Sequence, residues 1–286
     1  MMNPEQISLI VSTYNHPSYL DLCLRSVFEQ SDTPSQIVIA DDGSATETTQ
    51  VIEHFRRRSP VPLLHVWHAD DGFRKGIILN KAMAQATGEY LVVLDGDIIV
   101  HPKFIEDHLS VVQEGHFVSG SRMMLSARQV EEIKKQPHPH ISLLARLCTP
   151  NAYRSQLLMK VVSPRYKRND KHRTLKGGNM GVWKSDIVRV NGYDEDFHGW
   201  GYEDTDLGER LRNCGLTMMN LKWGGVAYHL WHPENCRSGE NDNLTRLLQT
   251  RATQRIRCLN GIDKYLPDLL QLNPGFLKGH DECSGA

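Results

Sequence analysis

Short apolar runs alternate along this chain with longer stretches in which apolar residues recur every three or four positions. Ile7-Ser8-Leu9-Ile10-Val11, Gln36-Ile37-Val38-Ile39-Ala40, Leu63-Leu64-His65-Val66-Trp67 and Leu91-Val92-Val93-Leu94 read as strands. Their nearly continuous apolar character fits strands covered on both faces. Between them, Leu20, Cys23, Leu24, Val27 and Phe28 share one helical face, with Ser18 as the expected N-cap. Residues 46–58 and 76–87 read as two further helices, the second stopped by Gly88. This alternation predicts right-handed βαβ crossovers and an α/β fold with a mostly parallel central sheet flanked by helices.

The pattern is less regular later. Leu207 and Leu211 sit at core spacing on a helix that opens with Glu203-Asp204-Thr205-Asp206. Residues 216–223 read as a strand, and 243–259 as a helix with Leu244, Leu247, Leu248 and Ile256 turned inward. Residues 275–286 read as a loose end. The stretch 122–176 carries Pro137-His138-Pro139-His140, an amphipathic 141–147, and a basic run through Arg165, Lys167, Arg168, Lys171, Arg173 and Lys176. It reads either as a solvated insertion or as a surface for an anionic, lipid-linked saccharide at a membrane face.

Composition narrows the function classes. The 286 residues, 40% of them hydrophobic, allow a large core, and a net charge of -1 gives no global attraction to nucleic acid or anionic lipid. The six cysteines are scattered without a Cys-x-x-Cys, so neither a zinc site nor a disulfide framework is expected, and reduced thiols in a cytoplasm fit best. The start lacks the apolar core of a secretory signal, and no apolar run reaches membrane-spanning length. The oligomeric state has no signature in the sequence.

Carboxylates gather where the strands end. Asp41-Asp42-Gly43-Ser44 follows the second strand and Asp95-Gly96-Asp97 the fourth, which is the side on which open α/β sheets bind ligands. The loop after the first strand, Thr13-Tyr14-Asn15-His16-Pro17, has no glycine, which argues against a dinucleotide-binding fingerprint. Carboxylates at that edge fit a diphosphate bridged by a divalent cation, although Asp-Gly pairs also make ordinary turns.

The ordered set Val11-Ser12-Thr13-Tyr14-Asn15, Ala40-Asp41-Asp42-Gly43-Ser44, Asp71-Gly72-Phe73-Arg74 and Leu94-Asp95-Gly96-Asp97 resembles family 2 glycosyltransferases of the GT-A fold. Gly177-Gly178-Asn179-Met180-Gly181-Val182-Trp183, Asn191-Gly192-Tyr193-Asp194 and Gly199-Trp200-Gly201-Tyr202-Glu203-Asp204 resemble the acceptor-side segment of bacterial chondroitin polymerase and β-1,4-galactosyltransferases. The resemblance implies a single domain over 1–286. Its parts would be a nucleotide-sugar-binding half (1–122), a variable basic insertion (123–176), an acceptor and catalytic half (177–235) and a helical tail (236–286).

The resemblance also implies an inverting transfer of a hexose or N-acetylhexosamine from a UDP-sugar to a saccharide hydroxyl, in bacterial lipopolysaccharide or surface-polysaccharide synthesis. Thr13, Tyr14, Asp41 and Asp42 would line the nucleoside pocket, Arg74 would touch the diphosphate or sugar, and Asp95 and Gly96 would face the donor. Asp97 and His229 would ligate Mn²⁺ or Mg²⁺, with Asp95 beside them and His232 in reserve. Asp204 would be the catalytic base and Glu203 would hydrogen-bond the acceptor, while Trp200 offers an aromatic face of the kind sugars stack against and the flanking Gly199 and Gly201 let that acceptor-binding loop move. Relatives often carry Arg-Asn where this chain has Leu79-Asn80. From the residues alone, Asp206, His68, His101 and His108 read as structural. Two other classes stay open: a metal-dependent sugar nucleotidyltransferase and a non-catalytic saccharide-binding protein. The expected location is the cytoplasm, at the inner face of the membrane.

Overall fold

The computed structural model describes residues 6–139, 174–233 and 240–266. The amphipathic stretch 141–147, the basic run from Arg165 to Arg173 and the 275–286 end therefore lie outside the described residues. The first half forms β1 (Ile7–Thr13), α1 (Pro17–Phe28), β2 (Gln36–Asp41), α2 (Thr46–Arg56), β3 (Leu63–Trp67), α3 (Lys75–Gln85) and β4 (Tyr90–Asp95). Then come β5 (Ile98–Val100), α4 (Phe104–Leu109), β6 (His116–Gly120), β7 (Arg122–Met124) and α5 (Ala127–Lys134). The second half adds β8 (Asn179–Trp183), α6 (Lys184–Val190), α7 (Glu203–Asn213), β9 (Thr217–Leu221), β10 (Ala227–His229) and α8 (Glu240–Thr253), followed by a 3₁₀ turn at Ile262–Tyr265.

Seven strands form one sheet in the order β3-β2-β1-β4-β8-β6-β9. The β3-β2-β1-β4 pairings are parallel, β8 runs antiparallel to both its neighbours, and β9 pairs parallel with β6. The sheet is thus mostly parallel, as the strand and helix alternation predicts. Side chains of each central strand alternate between two cores. Ile10, Val38, Leu91 and Val93 join Ile78, Leu79, Ile187, Leu207 and Leu211 on one face. Leu9, Val11, Ile37, Ile39 and Val92 join Leu20, Leu24 and Ile52 on the other. A small second sheet, β5-β10-β7, hangs from the end of β4.

Local expectations fail in two places. Helix α1 starts at Pro17 with His16 at the cap and no side-chain cap bond, so Ser18 is not its N-cap. Proline has no N–H to satisfy and a φ already suited to the first helical position, so the helix begins there without a capping oxygen. Helix α8 ends at Thr253, and of its expected inward leucines only Leu247 is fully buried; Leu248 and the following Ile256 are exposed. Its buried face also carries Asn243, which donates to the His198 carbonyl ahead of α7, and Thr250, which donates to Asp206 on α7, so α8 docks largely through polar contacts. One of these is Arg251 with Glu209, at 2.8 Å.

Candidate active site

Strand register brings the donor-side motifs together. Thr13 on β1 is paired with Asp41 on β2, and Ser12 with Asp95 on β4. The Gly96 N–H donates to the Ser12 carbonyl at 2.7 Å, and a Cβ at position 96 would lie 2.7 Å from that same oxygen. Only glycine allows this close approach of two strand ends. Ser12 Oγ donates to Asp95 Oδ1 at 2.9 Å, Lys75 Nζ donates to the same oxygen at 2.6 Å, and Arg122 Nη1 stands 3.7 Å from Oδ2. Burial alone would raise the Asp95 carboxyl, but Lys75 and then Arg122 bring it down to about 2. Burial likewise opposes the charge on Lys75, yet Asp95, Asp204 and Glu203 hold its pKa above the usual lysine range.

Each carboxylate of Asp41-Asp42 is pinned by a histidine. Asp41 Oδ2 meets His65 Nε2 at 2.8 Å while Oδ1 accepts the Ser44 N–H at 2.9 Å. Asp42 Oδ1 meets His68 Nε2 at 2.7 Å while Oδ2 accepts the Arg74 N–H at 2.9 Å. Lys81 Nζ lies 3.2 Å from His68 Nδ1. An ammonium only donates, so Nδ1 accepts and the proton on Nε2 faces Asp42. Tyr14 is partly exposed and donates to Asp70 Oδ2 at 2.9 Å. The Arg74 guanidinium turns back onto its own loop, 3.1 Å from Asp71 Oδ2 and bonded to the Ala69 carbonyl. It is the next residue, Lys75, that reaches Asp95.

Asp97 follows the turn out of β4 and faces both candidate histidines. Its Oδ2 lies 3.4 Å from His229 Nε2 and 3.1 Å from His232 Nε2, and one ligand atom from each of the three residues falls within 4.8 Å of the others. The Leu230 N–H donates to the Asp97 carbonyl at 2.8 Å, and His229 is paired with Ile98 across β5 and β10, so backbone bonds fix the cluster. Asp97 Oδ1 is buried and has no hydrogen-bond partner among the described residues. A buried carboxylate oxygen without a donor is costly unless a cation meets it, so these residues fit a divalent metal. Asp95 stands apart from this trio, on Lys75 and Ser12.

The acceptor-side acids open α7. Tyr202 adopts a left-handed conformation (φ 68°) before the helix, and Glu203 and Asp204 occupy its first positions, where the helix dipole favours negative charge. Asp204 Oδ1 accepts the Tyr193 hydroxyl at 3.0 Å and Oδ2 accepts the Gly177 N–H at 3.1 Å. Glu203 Oε2 accepts the Gly201 N–H at 3.1 Å. Burial first, and the neighbouring Asp204 charge second, push the Glu203 carboxyl up to about 7. A Cβ at Gly177 would lie 2.0 Å from Asp204 Oδ1, and one at Gly178 2.1 Å from Asp95 Oδ2. Consecutive glycines thus back directly onto the acceptor-side and donor-side carboxylates.

The model of "Glycosyl transferase family 2" matches residues 8–176. The chain belongs to that family. A second model, described as the N-terminal domain of galactosyltransferase, matches residues 158–233, the stretch that carries the Gly-Gly, Tyr193 and Glu203-Asp204 segments. Among curated relatives, a validoxylamine A glucosyltransferase of Streptomyces hygroscopicus subsp. limoneus is 26% identical over 78% of this chain and 52% of its own length. A chondroitin synthase of Escherichia coli is 22% identical over 86% of this chain and 38% of its own. The chain thus spans about half, or less, of the length of these relatives. The solved S. aureus TarS 1-349 in complex with UDP-GlcNAc superposes with a TM-score of 0.60 at 18% identity, over 95% of this chain and 73% of that one. A mannosyltransferase from Pyrobaculum calidifontis, solved with GDP-Man and Mn2+, gives 0.57 at 17% identity over 97% and 74%. These likenesses establish the GT-A fold.

Against this family frame, the structure gathers Thr13, Asp41, Asp42, Asp95, Gly96 and Asp97 at one sheet edge, brings His229 and His232 to Asp97, and sets Asp204 behind Gly177. Asp206 is buried on Arg210 at 2.7 Å and accepts Thr250 Oγ1 at 2.6 Å, a structural role as expected. His108 is buried on Asn179 at 3.0 Å, also structural. His68 is not a bystander, since it holds Asp42. Asn80 clamps the loop bearing Tyr193, accepting its N–H at 2.8 Å and donating to its carbonyl at 2.9 Å. Sequence reasoning missed Lys75, Arg122 and Tyr193. For Lys75 there is a signal: a cation at the first position of a helix opposes the dipole and calls for nearby acids.

Proposed function

We propose that this chain is an inverting, metal-dependent glycosyltransferase that moves a hexose or N-acetylhexosamine from a UDP-sugar to a saccharide hydroxyl. The observation that carries the reading is the adjacency built by Gly177 and Gly178, one glycine against Asp204 and the next against Asp95, beside the Asp97, His229 and His232 trio. A base for the acceptor and a donor-side carboxylate are thereby held one residue apart on β8's approach. Family membership and relatives named for glucosyl transfer and chondroitin synthesis support the same reading, as does a TarS neighbour solved in complex with UDP-GlcNAc.

In this mechanism Asp204 takes the proton of the acceptor hydroxyl as its oxygen attacks the anomeric carbon. The bond from that carbon to the diphosphate oxygen breaks from the opposite face, its electron pair leaves with UDP, and the product configuration is inverted. Tyr193 and the Gly177 N–H aim the Asp204 carboxylate, and Glu203 holds an acceptor hydroxyl while Trp200 and Gly201 border it. Thr13, Tyr14, Asp41 and Asp42 shape the nucleoside pocket. Asp97, His229 and His232 would hold the cation, and two imidazoles with one carboxylate favour Mn²⁺ over Mg²⁺. When bound, the metal supplies Lewis-acid neutralisation of the departing diphosphate.

The acceptor we propose is a growing bacterial surface saccharide, lipid-linked and met at the inner membrane face. No helix among the described residues is long and apolar enough to cross a membrane. Charge reversal at Lys167, Arg168 and Lys171 tests that part: lost vesicle association with intact donor hydrolysis supports it, and unchanged association removes it. The core reading is tested by UDP release from UDP-glucose, UDP-galactose, UDP-N-acetylglucosamine and UDP-N-acetylgalactosamine, with GDP-mannose alongside. Turnover of a UDP-sugar that vanishes in Asp204→Asn supports it; pyrophosphate release from a nucleoside triphosphate, or no turnover of any donor, contradicts it.

A further inference from the structure

Three acids from two distant parts of the chain, Asp95 at the end of β4 and Glu203 with Asp204 at the start of α7, converge on one site. Like charges so placed repel, and burial adds to that cost. The nearby arginines contribute less: Arg74 is folded onto Asp71 and Ala69, and Arg122 stands 3.7 Å from Asp95 Oδ2, farther than Lys75 from Oδ1. The Lys75 side chain is only 17% exposed and bonds Asp95 Oδ1 at 2.6 Å. Its neighbour Gly76 lies against Tyr193, where an added Cβ would come 3.3 Å from Tyr193 Cβ. The Tyr193 hydroxyl in turn holds Asp204. The start of α3 is therefore wedged between the donor-side and acceptor-side carboxylates.

We propose that Lys75 is a positioning residue for the transfer step, a fixed internal cation that lets Asp95 and the Glu203-Asp204 pair share one site in their working geometry. This rests on the transferase reading above. After Asp95, the acids that act most strongly on the Lys75 ammonium are Asp204 and Glu203, which supports the same assignment. Among the described residues, Ser12 from β1, Arg122 from β7, Tyr193 from the loop after α6 and the Gly177 and Gly201 N–H groups also face this cluster. Because the ammonium is held on Asp95 and is also acted on by the acceptor-side Asp204 and Glu203, its loss should fall on turnover more than on capture of the nucleotide.

The test compares Lys75→Gln, Lys75→Met and Lys75→Arg in the full chain. Gln keeps a hydrogen bond to Asp95 without charge, Met removes both, and Arg keeps the charge. Turnover is read as UDP released from the UDP-sugar that the wild type uses best, and nucleotide capture as the UDP dissociation constant by calorimetry with Mn²⁺. We expect kcat to fall by about 100-fold or more in Gln and Met, as for a misaligned catalytic group, with UDP affinity within about threefold of wild type. Arg should recover kcat to within about tenfold of wild type. Wild-type turnover with a fully active Lys75→Gln, or a loss carried by UDP affinity with kcat unchanged, overturns the assignment alone. A wild type that neither binds UDP with Mn²⁺ nor turns over a UDP-sugar overturns the transferase reading and this assignment with it.

Discussion

The Gly177 N–H donates to Asp204 Oδ2 at 3.1 Å, while the space a Cβ would need at position 177 is already filled by Asp204 Oδ1, 2.0 Å away. The glycine thus both grips the candidate base and makes room for it. Gly177→Ala must push Asp204 aside, because the obstructing atom belongs to a carboxylate fixed by two bonds. We expect kcat for UDP release to drop by about 100-fold or more, since a displacement near 1 Å costs about that much. UDP affinity, measured by calorimetry, should stay unchanged.

Tyr193→Phe removes the other bond to Asp204 and nothing else that the hydroxyl makes among the described contacts. A hydrogen bond to a charged group contributes about 1.5–3 kcal/mol, so a loss of roughly 10- to 100-fold in kcat is expected, with KM for the donor unchanged. Steady-state kinetics with the best UDP-sugar check this. Wild-type kcat in the variant would mean that the hydroxyl does not aim the base.

Glu203 sets a pH dependence. Glu203 is raised to about 7 by burial and by the neighbouring Asp204 charge, so kcat/KM should rise with pH through an apparent pKa near 7 as the carboxylate proposed to hold the acceptor hydroxyl ionises. Glu203→Gln removes this titrating group, so the rising limb near pH 7 should disappear. The stability effect has the opposite sense. The folded protein binds this proton more tightly than the unfolded chain, so the contribution of Glu203 to stability falls as pH rises from its ordinary 4.5 to about 7. Melting curves across that window read this directly.

Asp206 and Arg210 are both fully buried and 2.7 Å apart. Asp206→Asn leaves a guanidinium charge short of its partner in the interior, a change worth about 3–5 kcal/mol of stability. Chemical denaturation should show the loss, while UDP affinity of the folded fraction stays near wild type. A large drop in UDP affinity without destabilisation would place Asp206 in the site instead.

Much of the donor half is legible in the sequence because its signals are local. The apolar runs of β1, β2 and β4 are bounded by turn formers, and parallel register then brings Thr13 beside Asp41 and Ser12 beside Asp95 without any further information. Pairings made across long stretches of chain are not legible in this way. Nothing in the spacing of His65 and His68 says that each will close on a different aspartate 24 or 26 residues away. The glycines at 177 and 178 are readable as a motif, but their reason, two carboxylates arriving from β4 and α7, appears only in three dimensions. In α8 the count of leucines misleads, because Thr250 on the helix and Arg255 just beyond it meet Asp206 from α7 and outweigh Leu248 and Ile256 in deciding which face is covered.

On the proposed reading, the Asp97, His229 and His232 trio lets this site bind a UDP-sugar through a divalent cation. Calorimetric titration of UDP with and without Mn²⁺, in wild type and in Asp97→Ala, His229→Ala and His232→Ala, tests it most directly. UDP affinity in wild type should depend on Mn²⁺ and be lost with EDTA, and each variant should weaken the Mn²⁺-dependent binding by at least about tenfold, as expected when one ligand of a small donor set is removed. UDP binding of equal strength with Mn²⁺ and with EDTA, or unchanged in all three variants, would contradict it.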